Sequence, residues 1–278
     1  MTMNRSRKGI IFSLAGLIAS SLLFDFFYYY LPWILSHSSV SGNTPVVLFA
    51  LVICFIIIFE EVFVKLALIK NLPDKIRYKP VELESITQID QAKLRDYSED
   101  LKSLGFNILL DSQQNINFFS RLFVNPELCC FALLMQNIDL TFSIECCLEQ
   151  GWSISINNGL PNKFAGTAYA FNRLPRAVKI KIPDASPHQM LQSFLQIRQQ
   201  MMEDLQVNII SDLSLEKYQE IGKQQVQLIK QAIWHKSVIQ SRIERYFYRR
   251  SPKLEWYGDY TKFVKQRKRQ NAKRPKSH

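Results

Sequence analysis

The sequence predicts a membrane-anchored α+β protein: an N-terminal transmembrane helical hairpin, then a cytosolic antiparallel sheet flanked by helices, with a long C-terminal helix and a basic tail. Three observations carry that prediction. Two long apolar runs lie near the N-terminus, short apolar runs cut by turn residues fill the middle, and helical periodicity followed by a cationic stretch closes the chain. The implied division is a two-helix anchor over residues 1–71 with spans of about 10–33 and 46–68, a linker at 72–84, an α+β domain at 85–249 and a basic tail at 250–278.

The first apolar run contains one acid, Asp25, and at 1.5 Å per residue ~20 of its residues cross a ~30 Å hydrocarbon layer. The second follows the breaker cluster Ser41, Gly42, Asn43, Thr44 and Pro45 and continues past Glu60 and Glu61 to Ile69. A hairpin satisfies its backbone polar groups within each helix, which lipid requires. Arg5, Arg7 and Lys8 precede the first run, Lys65, Lys70, Lys75, Arg77 and Lys79 end or follow the second, and the short loop between them holds no Lys or Arg. Both termini are therefore expected on the cytosolic side of an integral membrane protein. A cleaved signal peptide over the first run is the alternative, leaving the second run as a single anchor.

Asp25, Glu60 and Glu61 are the candidate intramembrane polar residues. Glu60 and Glu61 fall near the inner interface, where Lys65 and Arg7 or Lys8 neutralise them. Asp25 lies toward the opposite leaflet beside Tyr28, Tyr29, Tyr30 and Trp33, which read as an aromatic belt. There it accepts a bond from a tyrosine or pairs with another membrane protein.

The formal net charge of +11 belongs to the C-terminus: from Arg242 onward thirteen Lys or Arg face three acids. Lys262, Lys265, Arg267, Lys268, Arg269, Lys273, Arg274 and Lys276 form the candidate polyanion-binding set. Anionic lipid is the expected partner of this tail and ribosomal RNA the alternative. Like-charge repulsion keeps such a segment disordered in isolation. Cys54 and the adjacent pairs Cys129–Cys130 and Cys146–Cys147 show no C-x-x-C spacing, and a hairpin turn near Asn137 brings 129 opposite 146 or 147.

Residues 90–104 carry Leu94, Tyr97, Leu101 and Leu104 at helical spacing, with Gly105 as a left-handed stop. Runs at 106–110, 116–124, 128–135, 138–148 and 152–156 follow, punctuated by Asn125-Pro126 and Gln150-Gly151, and a further strand is expected at 177–182. Closely spaced runs with no room for crossover helices indicate an antiparallel meander. Ser186-Pro187-His188-Gln189 has the form of a capping box with proline at the first helical position. A last helix starts near Ser214 and extends to about Arg249, roughly 54 Å.

No phosphate-binding glycine loop, H-E-x-x-H, C-x-x-C, G-x-S-x-G or kinase signature occurs, so no catalytic residue, metal or cofactor is assigned. The aromatic stretch 152–171 is the candidate non-terminal binding surface, with packing over the sheet as its plainer role. The expected function is a membrane-tethered interaction or assembly scaffold that docks a protein partner. The alternative is a membrane-bound enzyme or ligand sensor with a pocket between the sheet and residues 157–175.

Overall fold

The computed structural model describes residues 44–72, 80–81, 90–115, 118–136, 139–160, 166–171 and 173–273. The chain divides into two compact units, Met1–Asn71 and Leu72–His278. The first contains helix α1, Thr44–Asn71, along which Phe55, Phe59 and Phe63 stack with ring centroids 6.3 and 5.4 Å apart.

No helix among the described residues is long and apolar enough to cross a membrane, which overturns the transmembrane hairpin. The physical reason lies in α1 itself. Its uncharged stretch, residues 44–59, spans only about 24 Å at 1.5 Å per residue, short of a ~30 Å hydrocarbon layer. Glu60 and Glu61 then follow, and Glu61 pairs with Lys65 one turn on at 2.9 Å. The expected first span at 10–33, with Asp25, lies outside the described residues. The two-pass topology, the integral-membrane localisation, the lipid-bilayer and membrane-protein partners and the anionic-lipid partner of the tail are therefore corrected. So are both expected functions, the membrane-tethered scaffold and the membrane-bound enzyme or sensor.

The second unit is built on a seven-stranded sheet in sequence order: β1 Asn107–Asn115, β2 Phe118–Asn125, β3 Cys130–Gln136, β4 Leu140–Leu148, β5 Trp152–Asn157, β6 Ala177–Lys181 and β7 Glu255–Trp256. Short turns make β1 to β5 an antiparallel meander, as their spacing requires. Between β5 and β6 the connection contains helix α3, Gly166–Phe171, and β6 returns parallel to β5. The sheet is therefore mixed, not antiparallel throughout, because this linker is long enough for a crossover.

Alternation along the strands separates two faces. Leu140, Phe142, Ile144, Cys146 and Leu148 of β4 and Trp152, Ile154 and Ile156 of β5 are buried together, under helices α2 (Gln91–Ser103) and α4 (Pro187–Leu205). In α2 the Asp90 side chain accepts from the Lys93 N–H at 3.0 Å, Leu94 and Leu101 face the core, and Gly105 turns the chain away at φ +84°. The capping box at Ser186 and Gln189 forms in both directions, and α4 buries Met190, Leu191, Phe194, Met201 and Leu205.

The long C-terminal helix is two helices, α5 (Leu215–His235) and α6 (Val238–Arg250). Lys236 adopts an extended conformation, and Ser237 caps α6 by accepting from the Gln240 N–H at 3.4 Å. Lys236 Nζ then donates to the Ala170 carbonyl at 2.5 Å and to Glu244 at 2.6 Å, so the break folds the chain back onto α3.

The basic end is not a free tail. Residues Tyr260–Lys273 form helix α7, which lays Tyr260 and Phe263 edge-on against the buried Trp152 at 6.4 and 5.4 Å. Gly258 sets the entry into α7 at φ +51°, where any Cβ collides with the Pro175 carbonyl that receives the Asp259 N–H.

Candidate functional site

The opposite face of the sheet carries a different set of side chains. Strand register aligns Phe131, Glu145, Ser155 and Lys179 in one row across β3, β4, β5 and β6. Leu133, Ser143, Asn157 and Lys181 form the row on one side, and Cys147, Ser153 and Ala177 the row on the other. Side chains two apart on a strand share a face, so the polar and apolar groups of these rows rise together into the space beneath α5.

Helix α5 is placed over them by its own N-terminus. Ser214 caps it by accepting from the Lys217 N–H at 3.2 Å, and the first turn then carries Tyr218 down onto the sheet. The Tyr218 ring packs on Phe131 with centroids 4.9 Å apart, and its hydroxyl donates to Glu145 Oε1 at 2.8 Å. Between this helix and the sheet lies a cavity of about 280 Å³, walled among others by Glu145, Ser153, Lys179, Tyr218, Ile221 and Gln225.

A second cavity of about 280 Å³ adjoins it and shares Cys147, Ser153, Ile221 and Gln225. Trp152, Leu174, Ile210 and Leu228 line its far part. The two share part of one wall beneath α5; the first is polar, bordered by both Glu145 and Lys179, and the second is largely apolar.

Burial pushes the Glu145 carboxyl pKa above its ordinary value, outweighing the Tyr218 hydrogen bond and the Lys179 charge, both of which pull it down. Burial also pushes the Lys179 ammonium below its ordinary value, opposed by the charge of Glu145. Lys179 keeps solvent access although protein surrounds it, as expected of a group in an open cavity. The Cys147 thiol is pushed up to about 12 by burial and then by Glu145, so it stays protonated and weakly nucleophilic.

The other expected sites are dispersed or spent. Arg267 donates to the Leu205 carbonyl and to Gln206 Oε1, closing the end of α4. Lys262 pairs with Asp259 at 3.0 Å. Lys265, Lys268 and Arg269 are exposed on α7, Lys273 ends that helix, and Arg274 and Lys276 lie outside the described residues.

Among the described residues of 157–175, Asn157, Leu174 and Pro175 border the two cavities, and several others go into packing. Asn158 accepts from the Phe142 N–H at 2.8 Å, and Tyr169 stacks on Tyr248 at 4.4 Å. Arg173 lies over the Tyr169 and Trp256 rings and pairs with Glu244. The cleft is roofed by α5 because Tyr218, not this segment, reaches the Glu145 row.

Continuing the β3–β4 register from Phe131 and Glu145 by one step sets Cys130 opposite Cys146, both buried on the core face, and all four described cysteines of the domain are free. Among the described residues no group of three or more His, Cys, Asp or Glu converges as a metal site.

No family model, no curated protein and no solved structure matches this chain. The functional reading rests on the cleft's own chemistry.

Sequence reasoning passed over Glu145, Lys179 and Tyr218 as a set. Glu145 is the one acid within β4, and Lys179 lies between Val178 and Ile180 in β6. A charge inside an apolar strand was the available signal, but the register that joins the two appears only on pairing.

Proposed function

We propose that the second unit is a ligand-binding domain whose ligand is an uncharged, elongated molecule lying in the cleft between α5 and the sheet. Its hydrogen-bonding head rests over Glu145 and Lys179, and its apolar end lies toward Leu174, Ile210 and Leu228. The observation that carries this is the Glu145–Tyr218 bond at a cavity that shares a wall with an apolar one. Glu145 and Lys179 are the charged residues bordering the polar cavity and contribute no net charge together, whether both are ionised or both neutral, while Arg176 borders the apolar one. Ser143, Ser153, Ser155, Asn157 and Tyr218 supply hydroxyls and an amide, which suit a head that both donates and accepts.

Octyl glucoside below its micelle concentration has this shape and tests the proposal by calorimetric titration. Saturable one-site binding is expected, and Ser153→Phe, at the junction of the two cavities, is expected to abolish it while the circular dichroism spectrum is kept. Absence of saturable binding to the wild type, or equal affinity for the variant, would overturn the assignment.

Glu145 also makes a stability prediction. A carboxyl whose folded pKa is raised stabilises the fold below the ordinary carboxylate range, and that contribution is lost as pH rises through the raised value. Glu145→Gln is therefore expected to match wild type in acid and to equal or exceed its Tm at neutral pH, as expected where a residue is kept for binding. A Tm several degrees lower at neutral pH would make Glu145 a structural residue.

A further inference from the structure

Three groups border the polar cavity: an amine, a carboxyl and a phenol bonded to that carboxyl. Glu145 and Lys179 stand in the same cross-strand row with Ser155 between them, roughly 10 Å apart at Cα for two strand spacings. Both residues border the same cavity, one on either side of Ser155. The hydroxyls of Ser153 and Ser155 line the floor between them.

We infer that Lys179 is a covalent attachment point for an aldehyde or ketone, forming an imine with a carbonyl ligand held in the cleft, with Glu145 as the proton donor and acceptor. The inference rests on the ligand-binding role proposed above and names the reactive group of the ligand.

The step balances without any other reactant. The Nζ lone pair of Lys179 adds to the carbonyl carbon as the carbon–oxygen π bond opens, and one amine proton moves to that oxygen, giving a carbinolamine. Protonated Glu145 then donates its proton to the hydroxyl, the carbon–oxygen bond breaks, and one water leaves. The iminium proton returns to the Glu145 carboxylate, which restores the starting carboxyl. Tyr218 holds Glu145 in place through its hydroxyl.

The local environment favours both protonation states this sequence needs. Desolvation lowers the cost of the free amine at Lys179 and of the protonated carboxyl at Glu145. An amine of lowered pKa that opens onto the same cavity as a general acid is the arrangement imine formation requires. The adjoining apolar cavity takes the remainder of the molecule, so a straight-chain aldehyde fits better than a compact one.

The test uses the full-length protein with decanal as the carbonyl probe and decan-1-ol as its unreactive counterpart. Reduction with sodium cyanoborohydride converts any imine to a stable secondary amine, which peptide mass mapping locates. Lys179 is expected to be labelled before any other lysine. Glu145→Gln, which keeps a hydrogen-bonding partner for Tyr218, is expected to slow that labelling by roughly 10²-fold while decan-1-ol still binds. Lys179→Arg is expected to lose the label at that position and to retain decan-1-ol binding. Labelling spread over surface lysines without preference for Lys179, no labelling at all, or a rate unchanged in Glu145→Gln would each overturn the inference. If decan-1-ol binds the wild type in those cases, the ligand-binding role survives; if it does not, that role fails as well.

Discussion

Replacing Arg121 with leucine is expected to destabilise the second unit by about 3–5 kcal/mol, read from the urea midpoint of the full chain. Arg121 is only 8% exposed, and its guanidinium holds Asp111 through Nε at 2.6 Å and Nη2 at 2.7 Å. Nη1 donates to Ser98 Oγ at 3.0 Å, and that hydroxyl donates to the Leu94 carbonyl at 2.5 Å. One side chain thus joins β2, β1 and α2. Leucine keeps the apolar contacts and leaves the Asp111 carboxylate without its cation in a partly buried place, and that uncompensated charge is the main cost. The double variant Arg121→Leu with Asp111→Leu removes the stranded charge and is expected to recover most of the loss. A single variant within about 1 kcal/mol of wild type would show that solvent reaches Asp111 well enough to replace the arginine.

Trp152→Ala is expected to cost a similar amount, about 3–5 kcal/mol, because it removes the largest fully buried side chain among the described residues. Trp152 is 1% exposed, and Phe263 and Tyr260 meet its indole edge-on at interplanar angles of 90° and 81°. Such contacts contribute roughly 0.5–1.5 kcal/mol each beyond area burial, so their loss acts on α7 in particular. Trypsin cleavage after Lys262, Lys265 or Lys268 is expected to accelerate before global unfolding, and Trp152→Phe is expected to restore most of the protection. Cleavage after these lysines no faster than in wild type would mean that Tyr260 and Arg267 hold the helix without the indole.

Much of the local structure was legible from residue pattern. Helix α4 follows from Ser186, Pro187 and Gln189 with apolar residues at helical spacing, and Gly105 marks the end of α2. The meander through β5 follows from short apolar runs separated by turns that leave no room for crossovers. The errors came where one pattern admits two environments. The uncharged stretch of α1 suits lipid in composition but is too short in length, and only its total against the hydrocarbon thickness decides. The basic end suits a repelling tail by charge, yet Tyr260, Phe263 and Val264 provide enough apolar surface to dock α7, and Arg267 is consumed as an end-cap for α4.

By itself the sequence determined helices α2 and α4, most of the strands, the caps at Ser186 and Gly105 and the concentration of positive charge near the C-terminus. Those properties depend on residues within a few positions of one another, where periodicity and turn chemistry act directly. Tertiary structure alone decided that β6 runs parallel, that Lys236 and Ser237 divide the last long helix, and that Glu145, Lys179 and Tyr218 border one cavity. Glu145 and Lys179 fall in one row only because β5 pairs with both their strands, and Tyr218 reaches Glu145 only because the cap at Ser214 sets α5 over that row. Register and helix placement are settled by packing between segments distant in the chain, so the chemistry they assemble has no counterpart in local spacing.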